Sequence, residues 1–209
     1  VIVGTLSRYS PKLGGQTALK NWLMYYPVEK IMSRYTDTLV TINREDFTFA
    51  QSSMRAQRVA FIPGVGLDIN RFRRSQETVD VSNKRAEIGV PSERFLGFRH
   101  DIPEICASAD IYAHPSIREG LPVALMEAMA SGLPVIGSDI RGIRDLIQDG
   151  CGGFLMKPTD VDGYAKAIRE LVSSEETRIQ FGSANMENIA LYSTKSVLSR
   201  LETIYSDIE

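Results

Sequence analysis

Two glutamates eight residues apart, Glu119 and Glu127, flank a Gly-Leu-Pro turn in the stretch REGLPVALMEAMASGLPV. A helix that only packs into a core needs neither the first glutamate nor the tight turn before it. Ionised carboxylates accept hydrogen bonds, so this pair is suited to bind paired hydroxyl groups of sugars, with Glu127 reaching a ribose and Glu119 a hexose. The alternative is that Glu127 is a solvated residue of an amphipathic helix, because such a spacing also arises by chance.

The residues between the two glutamates predict a seat for an anion. Pro122 suits the first turn of a helix, where its missing N–H group costs no hydrogen bond. The N–H groups near Gly120, Leu121 and Val123 are then unpaired, and such donors bind phosphate together with the helix dipole. The stretch therefore predicts a nucleotide-sugar site, with phosphate on the amides and sugar hydroxyl groups on the carboxylates.

A strand–helix–strand unit over residues 110–139 positions these groups. The patterns predict a strand at 110–116, a helix at 121–132 that ends at Gly132, and a strand at 133–138. Ligands of parallel sheets bind at the carboxyl edge, where the first of these strands ends. Short alternation of strands and helices along the whole chain predicts an α/β fold, with parallel sheets flanked by helices. Further strands are predicted at 37–42, 58–66, 94–98 and 152–157, and a short helix is predicted at 142–150. Asn43 is predicted to cap the short helix that follows the strand 37–42.

Composition and charge narrow the class of protein. The chain has 209 residues, 43% hydrophobic and 24% charged, which is enough for a packed core, and its net charge of −2 gives no sign of a nucleic-acid partner. Cys106 and Cys151 are predicted to be reduced thiols rather than a disulfide. The histidines, His100 and His114, show no metal-site spacing and are predicted to lie at the surface or at a strand end.

The motif sequence resembles the donor site of the retaining group 1 glycosyltransferases of family 4, which have the GT-B fold. Residues 95–160 resemble that family almost throughout. The segments YYPVEKIMSRYTDTLVTINREDF and FIPGVGLDINRF resemble the end of the first half and the crossover in bacterial members that build capsular or exopolysaccharides. The resemblance implies two Rossmann-like parts and transfer of a sugar from a nucleotide-sugar to an acceptor hydroxyl, with retention of configuration.

Carried over by position, the resemblance implies a role for each motif residue. Glu119 would be catalytic, contacting the donor sugar and assisting at its anomeric centre, and Glu127 would hold the ribose hydroxyls. The amides for the sugar and diphosphate would come from Gly120, Leu121 and Val123.

Three further positions complete the donor site that the resemblance implies. Arg99 lies where the family lines the base pocket, and Pro115 and Ser116 would shape the floor of the cleft. The family requires no metal or other cofactor. The implied partners are a nucleotide-sugar, most simply a UDP-sugar, and a lipid-linked or saccharide acceptor, with no nucleic acid. The implied location is the cytoplasm, with a peripheral association at the inner face of the membrane left open.

The sequence departs from the family where a Gly-rich loop with an Arg and a Lys should grip the diphosphate. Residues 83–93 run straight into the predicted strand 94–98, so about two strand–helix units of ~30 residues each are absent. Cations that could replace the lost grip lie in the polar segment 67–94, which is predicted to be a linker with one short helix near 82–88. They are Arg71, Arg73, Arg74, Lys84 and Arg85.

The predicted organisation has three parts. Residues 1–70 are a remnant of the acceptor-side half, residues 71–190 form the donor-binding half, and residues 191–209 form a helix that packs back toward the first half. The leading function is glycosyl transfer in cell-surface polysaccharide assembly. The alternative is a catalytically impaired remnant that binds a nucleotide-sugar or a partner protein.

Overall fold

The structure is a computed structural model that describes residues 2–3, 16–88 and 96–207. Its strands are β1 (Ile2–Val3), β2 (Thr38–Thr41), β3 (Arg58–Phe61), β4 (Tyr112–His114), β5 (Val135–Ser138) and β6 (Gly153–Met156). Its α-helices are α1 (Gln16–Met32), α2 (Arg44–Ser53), α3 (Ile69–Thr78), α4 (Val81–Ile88), α5 (Ile102–Ala107), α6 (Val123–Ala130), α7 (Val161–Ser173), α8 (Glu175–Asn188) and α9 (Thr194–Ser206). Short 3-10 helices follow α1 and α8, at Ser33–Tyr35 and Ile189–Tyr192.

The chain folds as two compact units. The first unit comprises Val1–Gly66 with Lys195–Glu209, and the second comprises Leu67–Thr194. The α/β class with parallel sheets and flanking helices is confirmed in both. The identification of the units as acceptor-side and donor-side halves stays a prediction.

The first unit is a parallel sheet in the order β1-β2-β3. Its core joins β2, β3 and α9 through buried side chains at Val40, Ala60, Ile62, Val197 and Ile204. Helix α2 begins after Asn43, whose Oδ1 accepts a hydrogen bond from the N–H group of Asp46 at 2.8 Å. That cap, which satisfies one of the unpaired amides of the first turn, was predicted from the sequence.

The second unit holds a parallel sheet in the order β4-β5-β6. All four residues of β5 are buried, because helices cover both faces of the sheet. One face packs on a core that includes residues of α3, α5 and α6, and the other packs on α7 and α8. In the described residues this sheet has three strands, fewer than the ~5–6 of an average sheet, and the shortening of this part stays a prediction.

Three predicted elements are wrong. The described residues of the predicted strand 94–98 form no strand, residues 142–150 form turns rather than a helix, and the strand from Arg58 ends at Phe61 rather than at 66. The supposed linker 67–94 also contains α3, which packs on α5 and α6. This helix was not predicted because its two buried apolar residues, Ile69 and Phe72, share one helical face but are surrounded in sequence by charged residues.

The two cysteines are free thiols, as predicted, and they differ in accessibility. Cys106 is buried, and burial raises the pKa of its thiol to about 11. Cys151 is partly exposed. We therefore expect iodoacetamide at pH 8 to label Cys151 in the folded chain and to label Cys106 only in urea, because the thiolate is the reactive form. Peptide mass spectrometry checks this, and equal labelling of both thiols in the folded chain would contradict the placement of Cys106.

Within the described residues, no helix combines the length and apolar character needed to cross a membrane.

Candidate functional site

The predicted anion seat lies between β4 and α6. Helix α6 begins at Val123, and the carbonyl of Pro122 accepts from the N–H group of Met126 at 3.3 Å. Within the described parts of the chain, the N–H groups of Gly120, Leu121 and Val123 donate to no acceptor. Val123 is also 43% exposed, so the start of the helix is open to a ligand. These three amides are placed as the sequence analysis expected, and their use by a phosphate stays a prediction.

A second loop from the same sheet edge supports the backbone of the seat. Gly142, after β5, has a φ of +79°, and a Cβ atom there would lie 2.1 Å from the carbonyl oxygen of Gly120. The neighbouring Arg141 donates from Nη2 to the carbonyl oxygen of Glu119 at 3.2 Å. A cation therefore stands directly beside the seat. Arg141 was not predicted as a site residue, although its position after a strand that ends at the same sheet edge was the available signal.

The Glu119 carboxylate is held on one of its two oxygens. Ser116 Oγ donates to Oε1 at 2.8 Å, and His114 Nε2 lies 3.0 Å from the same atom. The other ring nitrogen of His114, Nδ1, lies 3.2 Å from the hydroxyl oxygen of Tyr112. His114 does end a strand, as predicted, but its side chain is only 15% exposed and it belongs to this hydrogen-bonded group. The histidine prediction missed that contact because it weighed only metal spacing.

The Glu127 carboxylate has a different environment. Within the described ranges, no group donates a hydrogen bond to it. Burial raises its pKa, and the nearby Arg71 works in the opposite direction. The carboxylate is partly buried and no protein group in the described ranges donates to it, so it is placed to accept hydrogen bonds from a ligand.

Tyr112 connects the surroundings of the two glutamates. Burial is the main cause that raises the pKa of its hydroxyl to about 12, and the charges of Cys106, Glu127 and Glu119 add to that rise. Both carboxylates therefore raise the pKa of one side chain, Tyr112. Tyr112 lies on the same face of the second unit's sheet as His114, because the two residues are two apart on one strand.

Arg99 stands apart from this group. Its Nε donates to Asp101 Oδ1 at 2.7 Å, and its Nη2 pairs with Glu87 Oε1 at 3.0 Å. Lys84 joins the cluster through the same two acidic residues. Hydrogen bonds from Arg99, and then from Lys84, hold the pKa of Asp101 well below its usual range. The guanidinium of Arg99 therefore already has two carboxylate partners. A role for Arg99 at a base pocket stays a prediction.

The other candidate cations have mostly structural contacts. Arg85 pairs with Asp110 at 2.8 Å, and Arg73 donates to the carbonyl oxygen of Met186. Arg71 donates to the carbonyl oxygen of His100 and is the member of this set that acts on Glu127. The side chain of Arg74 lies outside the described part. Pro115 is exposed in the loop after β4, which leaves it available to line a cleft.

The arrangement can bind a ligand that carries both negative charge and hydroxyl groups. Three unpaired amides and Arg141 provide donors for an anion, and the free oxygens of two carboxylates provide acceptors for hydroxyls. Within the described ranges, no group of three or more potential metal ligands occurs.

Comparison with known proteins gives the family. The model described as "Glycosyl transferases group 1" matches residues 82–187, which is half of the chain and contains the whole site. EpsD of Bacillus subtilis (strain 168), named as a glycosyltransferase, is 29% identical over 248 residues that take in 90% of this chain and 65% of EpsD. The Escherichia coli enzyme named UDP-Gal:alpha-D-GlcNAc-diphosphoundecaprenol alpha-1,3-galactosyltransferase is 29% identical over 113 residues, 54% of this chain and 29% of that enzyme.

The fold has solved counterparts. The crystal structure of Anabaena Alr3699/HepE in complex with UDP superposes with a TM-score of 0.76 and 19% identity, over 95% of this chain and 70% of that one. The match to EpsD spans 248 residues against the 209 of this chain, so EpsD holds residues within the matched span that this chain lacks. The chain spans about two thirds of EpsD and less than one third of the galactosyltransferase. Because the family model matches half of the chain, including the whole site, the chain belongs to the group 1 glycosyltransferase family.

Proposed function

We propose that the chain binds a nucleoside diphosphate sugar at the start of α6 and transfers the sugar, with retention, to an acceptor hydroxyl in cell-surface polysaccharide assembly. The observation that carries the proposal is the partly buried Glu127 carboxylate, which has no hydrogen-bond donor in the described chain and whose pKa burial raises. The hydroxyl groups of a ribose would donate to this carboxylate. Uridine diphosphate is the nucleotide bound in the structure of the Anabaena relative, which favours a UDP-sugar.

The chemistry follows from the placement of charge. The bond between the anomeric carbon and the diphosphate oxygen breaks, and the acceptor oxygen bonds to that carbon on the same face. The proton of the acceptor hydroxyl passes to the departing diphosphate oxygen, and the nucleoside diphosphate leaves. Negative charge grows on the diphosphate as the bond breaks, and fixed donors stabilise it there. In this chain the amides of Gly120, Leu121 and Val123, with Arg141 beside them, are the groups placed to do so.

Glu119 would act on the sugar side. Its Oε1 is held by Ser116 and His114, and no donor in the described residues reaches its Oε2. That oxygen is available to accept from a sugar hydroxyl and to stabilise positive charge at the anomeric carbon. The acceptor is proposed to be lipid-linked or a saccharide, because the Escherichia coli relative is named for a diphosphoundecaprenol acceptor. We place the reaction in the cytoplasm, at the inner face of the membrane where such acceptors lie.

The second candidate function is binding without transfer. It is favoured by the residues that EpsD has within the matched span and this chain lacks, and by a sheet of three strands in the described part of the second unit. The test is to measure melting temperature with UDP, UDP-glucose and UDP-N-acetylglucosamine, then to assay donor hydrolysis and transfer. Stabilisation with turnover supports the transferase, and stabilisation without turnover supports the binding protein. No stabilisation by any of the three nucleotides would contradict both.

Glu127→Gln is expected to separate stability from function. The raised pKa means that the folded state binds more protons than the unfolded state as pH rises above the ordinary glutamate value of ~4.3, so the glutamate costs stability at neutral pH. The variant should therefore melt higher at pH 7, gain little at pH 4, and bind UDP about tenfold more weakly. Calorimetry and melting curves check this against Glu170→Gln, an exposed site on α7. Unchanged UDP affinity would contradict the role of Glu127.

A further inference from the structure

We propose that His114 is a positioning residue for Glu119, which it holds by donating a hydrogen bond from Nε2 to Oε1 so that Oε2 is presented to the donor sugar. This inference rests on the proposed function and assigns a task to a residue outside the motif. It is carried by the contacts that join Tyr112, His114, Ser116 and Glu119. We call these four residues the Glu119 clamp.

The geometry assigns the proton on the imidazole. The hydroxyl of Tyr112 keeps its proton, because burial raises its pKa to about 12, and it lies 3.2 Å from His114 Nδ1. A carboxylate oxygen only accepts hydrogen bonds, so Nε2, which faces Glu119 Oε1 at 3.0 Å, is the nitrogen that donates. The hydroxyl of Tyr112 can then donate to the other ring nitrogen, Nδ1.

The clamp acts on one carboxylate oxygen only. Ser116 Oγ donates to Oε1 at 2.8 Å and lies 3.2 Å from His114 Nε2, so serine and histidine share that oxygen. Arg141 fixes the other end of the residue by donating to its backbone carbonyl at 3.2 Å. With both ends held, the carboxylate loses little rotational freedom on binding a sugar, and such preorganisation improves affinity.

The placement of His114 follows from the strand. Side chains two apart on a strand lie on the same face, so Tyr112 and His114 stack, with ring centroids 5.9 Å apart and planes at 21°. The stacking keeps the imidazole in place beside the loop that carries Glu119. It also offers a rival explanation, in which the ring only packs against Tyr112 and the contact with Glu119 has no effect on binding.

The test separates donation from packing. His114→Phe keeps an aromatic ring on Tyr112 and removes the donor, and His114→Gln removes the ring and keeps an N–H donor near the position of Nε2. Calorimetry on the full chain measures affinity for UDP and for the tighter of UDP-glucose and UDP-N-acetylglucosamine. We expect His114→Phe to bind UDP within twofold of the unchanged chain and to bind the UDP-sugar about tenfold more weakly. His114→Gln should recover most of that loss.

A double variant tests the coupling to Glu119. Glu119→Gln should also weaken UDP-sugar binding selectively, and adding His114→Phe to it should cost no more than twofold further, because the two residues act as one unit.

Every other outcome contradicts either the proposed function or the positioning role of His114. If the unchanged chain fails to bind UDP, the proposed function fails and the positioning role fails with it. If UDP binds and the UDP-sugar binds no better, or if His114→Phe leaves the ratio of the two affinities unchanged, the positioning role alone fails. A loss of equal size for UDP and the UDP-sugar would assign His114 to packing and would also overturn the positioning role.

Discussion

Replacing Asn185 with aspartate is expected to destabilise the second unit by ~3–5 kcal/mol, because the change removes two buried hydrogen bonds and places a carboxylate against two carbonyl oxygens. Asn185 is fully buried on α8. Its Nδ2 donates to the carbonyl oxygens of Leu133 and Gly152, at 2.8 and 2.7 Å. These carbonyls precede β5 and β6, so one side chain ties the starts of two neighbouring strands to a helix.

Urea denaturation at pH 7 measures this effect. The matched control is Asn188→Asp, the same change at a partly exposed position of the same helix, which should shift the free energy of unfolding by less than about 1 kcal/mol. The loss in Asn185→Asp should shrink as pH falls, because a buried aspartate that becomes protonated no longer carries a charge. Equal denaturation midpoints for the two variants at pH 7 would show that Asn185 does not hold the strands.

Gly142→Ala is expected to abolish nucleotide binding, with a loss of at least a hundredfold in UDP affinity. The new Cβ would lie 2.1 Å from Gly120 O and 3.3 Å from Leu121 N, so the backbone that carries the proposed anion donors must move. The positive φ of +79° adds strain of ~1–2 kcal/mol for any residue with a side chain.

Gly150→Ala is the control for that strain. Its φ is +72°, and a Cβ atom there would meet nothing within 4 Å. The two variants therefore share the backbone penalty and differ in the clash with Gly120. Melting curves should show a loss of stability in both, and calorimetry should show normal UDP affinity in Gly150→Ala only. If Gly142→Ala bound UDP like the control, the Gly120–Leu121 backbone would not be the diphosphate seat.

The strand–helix–strand unit around the two glutamates was predictable because every local signal there agreed. Pro122 marks the start of α6, Gly132 follows its end with a φ of +68°, and the buried strand β5 comes directly after. The helix itself is shorter than predicted, Val123–Ala130 rather than 121–132, because residues at both ends contribute caps rather than helical turns. Local sequence signals therefore predict the strand–helix–strand unit that carries the two glutamates.

The contacts that complete the site were not predictable from local patterns. Arg141 and Gly142 are about twenty residues beyond Glu119, and only the parallel pairing of β4 with β5 brings their loops together. The contact of His114 with Glu119 depends on how a loop of four residues folds back over the end of a strand. Helix α3 was not predicted for a similar reason. Its buried side chains are determined by tertiary contacts with α5 and α6 and not by the average polarity of its own residues.

Glu127 is proposed to bind ribose hydroxyls beside a diphosphate that lies on the start of α6. The most direct measurement is a calorimetric cycle of four affinities, with UDP and 2′-deoxy-UDP each bound to the unchanged chain and to Glu127→Ala. We expect the unchanged chain to prefer UDP about tenfold and Glu127→Ala to lose most of this preference. An equal preference in both chains, or no binding of UDP to the unchanged chain, would contradict the proposed role of Glu127.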